Sequence, residues 1–150
     1  MLFVRLEPSN ERRTMTDNHK QLATGRTEVR AYVSTTFDEE TDGPPLLEVH
    51  LTETFVGDIE GEGTGRVIQA VRKGKSVTFA GIERVRGSLA NRKGTFLLRV
   101  SGMVVGKDMN ADWVVVPESG TGELRGLRGD GGFKAVLGQH GSVWLEYFFA

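Results

Sequence analysis

The sequence predicts an all-β protein, a single antiparallel β-barrel, and three observations carry that expectation. From Thr24 onward apolar residues recur with period two rather than 3.6, the spacing of half-buried strands. Clusters of turn-forming residues, "DGPP", "KGK", "NRKG" and "GKDMN", cut the patterned stretch into segments. Glycine supplies 20 of 150 residues, near twice the usual share of about 7%. Glycine inside strands marks the bulges and corners through which a sheet closes on itself.

The segments follow one another in chain order. "TEVRAYVSTTF" sets Val29, Ala31 and Val33 against Arg30, Tyr32 and Ser34. "LEVHLTETFVGDIEG" places Val49, Leu51, Glu53, Phe55 and Ile59 on one face, with His50, Thr52, Thr54 and Asp58 opposite. "TGRVIQAVRKG" comes next, and "SVTFAGIERVRG" then aligns Val77, Phe79, Gly81, Glu83 and Val85. "GTFLLRVSGMVVG" joins Phe96 and Leu98 on one face, and "ADWVVVP" joins Ala111, Trp113 and Val115. "SVWLEYFF" closes the series with Val143, Leu145 and Tyr147 together. No stretch has the apolar stripe of a long helix. Residues 1–22 are polar and aperiodic and are expected to form a flexible tail, with 23–150 as the barrel domain. Met15, followed by "TDNHKQLATG", is a second candidate start beside Met1.

Composition excludes several function classes. With 19 basic and 20 acidic residues and a net charge of -1, the chain lacks the basic surplus that phosphate neutralisation requires, so no nucleic-acid partner is expected. The clusters "VRKGKS" and "NRKGT" read as solvated turns. No apolar run approaches the roughly 20 residues of a membrane-spanning helix, and no membrane partner is expected. The opening "MLFVRLEP" is too short and too soon charged for a signal peptide, which points to the cytoplasm. The absence of cysteine agrees with that compartment and removes thiolate chemistry. The three histidines, His19, His50 and His140, show no zinc-ligand spacing, so neither metal nor cofactor is expected.

The glycine-rich run "SGTGELRGLRGDGGF", Ser119 to Phe133, fits neither phosphate-binding template. Gln69 stands where a P-loop ending in Gly74–Ser76 needs its first glycine, and Arg125 stands where a dinucleotide fingerprint needs its third. The flanking β-patterned segments also lack a crossover helix. The run, with "GDIEGEG", "GIERVRGSL", "GTFLLRVSG", "ADWVVVPESGTGELRGLRGDGGF" and the closing "LEYFF", resembles a family of small bacterial proteins, domain of unknown function 3224. The resemblance covers about residues 24–149. It implies an eight-stranded barrel similar to allene oxide cyclase and plant dirigent proteins, in which the glycine run is a barrel-closing turn segment. The family brings no established activity. Many members read "QHSG" where this chain has Arg99-Val100-Ser101-Gly102, so Val100 removes an imidazole expected to face the lumen. Tyr32 stands where tryptophan is common, and it joins the candidate ligand contacts.

Polar residues on apolar faces are the candidates for chemistry. Glu83 and Glu53 share faces with apolar residues and should project into the lumen. Lost solvation raises a carboxyl's pKa and suits it to general acid or base work. The bland alternative is a carboxylate paired with an arginine at the rim or bonded to backbone. The sequence leaves open whether the two carboxyls meet. Phe79, Trp113 and Tyr147 would line the pocket wall or form ordinary core. Trp144 and Phe148 fall on the outer wall, where aromatics suggest a homo-oligomer interface or a surface covered by the tail. The expected function is a small-molecule-binding barrel with a mixed apolar and acidic lumen that takes a small apolar ligand. The alternatives are a cyclase- or isomerase-like enzyme using a lumen carboxylate, or a filled barrel acting as a protein-interaction module.

Overall fold

Eight strands follow one another around a closed barrel in the computed structural model of the protein, which describes residues 20–150. They are β1 (Gln21–Asp38), β2 (Leu46–Gly57), β3 (Ile59–Arg72), β4 (Ser76–Leu89), β5 (Arg92–Val105), β6 (Asp108–Val115), β7 (Leu127–Val136) and β8 (Gly141–Phe149). Each pairs antiparallel with the next, and β8 pairs with β1 to close the ring. Closure pairs Gln21–Thr27 of β1 with β8, and the remainder of β1 pairs with β2 alone. The expected eight-stranded antiparallel barrel is therefore the fold. β1 begins at Gln21, opposite Tyr147, and so takes in the last two residues assigned to the tail. The rest of that tail, 1–19, and the choice between Met1 and Met15 lie outside the described residues.

Local chemistry moves three boundaries away from the sequence pattern. The β4–β5 hairpin turns on Ala90 and Asn91, both left-handed with φ of 48° and 71°. Two such residues give a turn whose twist matches the flanking strands, so Arg92 already belongs to β5. β2 and β3 meet at Asp58, which divides the stretch read as one segment although Ile59 still points inward. In β1 the register steps from Val29 opposite Glu53 to Ala31 opposite Thr52, leaving Arg30 as a bulge. Arg30 Nε donates to Thr54 Oγ1 at 2.8 Å. The extra residue inverts the alternation. Val29 and Tyr32 line the lumen, in place of the Val29, Ala31 and Val33 face expected from strict period two.

The glycine run also divides. Its first half is a loop with a single helical turn, Gly122–Leu124, and its second half lies within β7. Only the first half is a turn segment. Gly132, in the strand half, lies beneath the Trp144 ring, where an added Cβ would come within 2.6 Å of a ring carbon.

Alternate connections define two unlike ends. The start of β1, the end of β8 and the β2–β3, β4–β5 and β6–β7 connections gather at one end. There Phe55, Ile59, Leu89, Phe96, Leu127 and Leu145 fill the interior. Leu124, from the helical turn, is fully buried and seals that end. Replacing Leu124 with Ala is expected to cost about 2–5 kcal/mol, the usual range for emptying a close-packed site. Urea denaturation measures it, and a loss below about 1 kcal/mol would show that the loop does not seal the barrel.

Candidate functional site

Toward the opposite end the interior is not filled, and a cavity of about 240 Å³ remains. Val49, Val67, Phe79, Val100, Trp113 and Phe133 form most of its wall. Val100 therefore occupies the lumen position expected of it. Tyr32 stands at the mouth, about half exposed, and its hydroxyl accepts a 2.9 Å hydrogen bond from Gln69 Nε2. The buried polar side chains facing the cavity are Thr27, Glu53 and Glu83.

The two carboxyls meet because of the strand between them. Glu53 on β2 pairs with Gly63 on β3, and Glu83 on β4 pairs with Gly65 on β3. At both positions β3 turns bare backbone to the interior. A Cβ on Gly63 would run into the Glu83 carboxyl and lie 2.8 Å from the Phe55 ring. The glycines thus clear the space in which the carboxyls approach.

Each glutamate is only 5% exposed, and the rim arginine allowed by the sequence is not what holds them. The ion pairs among the described residues join Glu48 to His50 and Arg66 on the outer face. Glu83 Oε2 sits over Gly63 and finds no hydrogen-bond partner among the described residues. Two ionised carboxylates, both acceptors, could only repel there, whereas a proton between them turns the contact into a hydrogen bond. Burial pushes the Glu83 carboxyl well above its ordinary range, and the hydrogen bond and charge of Glu53 push it further the same way.

The aromatic candidates separate by depth. Trp113 is buried with its ring on the cavity wall, 6.2 Å from Phe55. Its Nε1 donates to the Trp144 carbonyl at 2.9 Å, so the indole offers the cavity a face rather than a donor. Phe79 lines the wall as expected. Tyr147 points inward but lies at the filled end, opposite Gln21 and Gly129, and donates its hydroxyl to Gln21 Oε1 at 2.9 Å. Its phenol is held above the ordinary value by burial, with Asp58 adding to the rise and Arg92 opposing it. Tyr147 is core, not a cavity contact; period two gave its face correctly but not its height along the barrel.

Trp144 and Phe148 face outward, half-buried, with the Lys134 ammonium 5.8 Å from the Trp144 ring centre. His50 bonds Glu48 at 2.7 Å on the outer face, and His140 is exposed. Among the described residues no group of three His, Asp or Glu could hold a metal ion, and no helix is long and apolar enough to cross a membrane. Pattern reading passed over Thr27, Gln69, Phe133 and the glycine gap. The gap has a visible trace, the alternate glycines of "EGEGTGR".

Comparison with known proteins agrees with this architecture. The family model described as "Protein of unknown function (DUF3224)" matches residues 23–147. A crystal structure of a protein with unknown function from the DUF3224 family of Shewanella oneidensis MR-1 superposes with a TM-score of 0.75. It is 26% identical, over 87% of this chain and 98% of that one. No curated protein matches the chain.

A raised carboxyl pKa has a definite sign in stability. The folded protein favours protonated Glu83, so its contribution is fully present below the ordinary carboxyl range and is lost as pH rises through the raised value. Glu83→Gln keeps the shape and removes the titration. The melting temperature of the native protein is expected to fall relative to the variant's as pH rises from the ordinary carboxyl range. Parallel melting curves across that window would contradict a proton held at Glu83.

Proposed function

Because the chain belongs to the DUF3224 family of proteins of unknown function, we propose a role from the site itself: a small-molecule-binding barrel. The observation that carries this reading is an unfilled, mainly apolar cavity with a buried carboxyl pair on its wall. Fold alone supports no activity. Interiors are normally packed to the density of organic crystals, so a 240 Å³ space in a barrel otherwise filled with side chains is an exception that a ligand accounts for. It exceeds the roughly 150 Å³ apolar cavity that accommodates benzene. The apolar walls would hold the body of the ligand, and Glu83 with Glu53 would fix its polar end. The filled-barrel reading fits only the sealed end.

Native mass spectrometry on protein purified from its own host tests the proposal. Extra mass on each subunit is expected, and Val100→Trp, which fills the cavity, should abolish it. Identical ligand-free masses for both proteins would contradict the reading.

One observation favours a second reading, a proton-transferring isomerase. Catalysis of that kind needs a second group beside Glu83, and Glu53 stands there. Cyclohexanone incubated in D2O would then gain deuterium faster with the native protein than with Glu83→Gln. Equal rates would exclude the reading.

A further inference from the structure

We propose that the ligand of this cavity is a small primary amine with an apolar body, held as an ammonium by the carboxyls of Glu53 and Glu83. The inference rests on the small-molecule reading above and names the chemical class that the site selects.

Charge is the first argument. Glu53 and Glu83 put two carboxyls on the cavity wall, and any charge the pair carries is negative. Among the described residues no Lys, Arg or His lines the cavity to offset it. A buried charge without a partner is strongly disfavoured, and a ligand cation is the partner the cavity lacks. Donor count is the second. Glu83 is only 5% exposed, and its Oε2 has no hydrogen-bond partner among the described residues. Trp113 has spent its N–H on the Trp144 carbonyl. The carboxyls are rich in acceptors, and a primary ammonium brings three donors on one atom. An alcohol brings one donor and no charge, a carboxylate meets like charge, and a quaternary ammonium brings charge without a donor.

The walls complete the match. Phe79, Trp113 and Phe133 present aromatic rings to the cavity, and ring faces attract a cation. Val49, Val67 and Val100 suit an apolar body, and 240 Å³ leaves room for one substituted ring.

Isothermal titration of the full-length protein at neutral pH with benzylamine, benzyl alcohol, benzoate and benzyltrimethylammonium tests the proposal. Benzylamine is expected to bind at least tenfold tighter than benzyl alcohol, with benzoate and the quaternary ion weaker still. Glu83→Gln and Glu53→Gln should each cost benzylamine tenfold or more and cost benzyl alcohol much less. Val100→Trp should remove both, which separates the cavity from amine binding on the acidic surface. The four-ligand series on the native protein decides the matter even if a variant fails to fold. Benzyl alcohol or benzoate binding as tightly as benzylamine would overturn the amine assignment and leave the cavity reading standing. Equal binding by the quaternary ion would overturn the role of the N–H donors and with it the assignment. Failure of all four to bind would overturn the cavity reading together with it.

Discussion

Two carboxyl groups face each other across a strand that carries no side chain at that level, and the character of the interior depends on this contact. Adjacent strands stand about 4.8 Å apart, so residues two strands apart normally have a side chain between them. Gly63 and Gly65 remove it. The vacated volume lets Glu83 lean over the backbone toward Glu53, and burial makes the approach costly unless a proton or cation lies between them. A local choice in β3, glycine at two inward positions, thus sets both the shape of the floor and its electrostatics.

Such a site is affordable because the barrel separates the tasks of its two ends. Apolar packing is concentrated at the sealed end, where residues such as Leu89, Leu124 and Leu145 are fully buried. There the β6–β7 loop folds inward and buries Leu124. The other end is left open around Tyr32 and Gln69. Ring closure joins Gln21–Thr27 of β1 to β8, while the rest of β1 runs on past β8 and pairs with β2 alone.

Much of this was legible in the sequence, within limits that have physical causes. Period two identified the inward face of β2, β4, β6 and β8, and with it Glu53, Glu83 and Trp113. It failed in β1, because a one-residue bulge at Arg30 leaves the local composition unchanged while inverting the residues from Ala31 to Thr36. It could not set depth. Tyr147 and Trp113 both point inward, and only strand register assigns one to the filled end and the other to the cavity. The contact between the carboxyls was the least visible feature, since it needs the pairing of three strands at once. The glycines of β3 were in plain view, but as gaps they acquire meaning only when the residues on either side are known.

The central claim is that Glu83 holds a proton because burial strips its carboxyl of solvent and Glu53 faces it. Carbon-13 NMR of the protein labelled at the glutamate side-chain carboxyls tests this directly, with the Glu83 signal assigned by its loss in Glu83→Gln. The account predicts that this signal titrates well above the ordinary carboxyl range, and that replacing Glu53 with Gln brings it down. A Glu83 carboxyl that titrates in the ordinary range, indifferent to Glu53, would contradict the account.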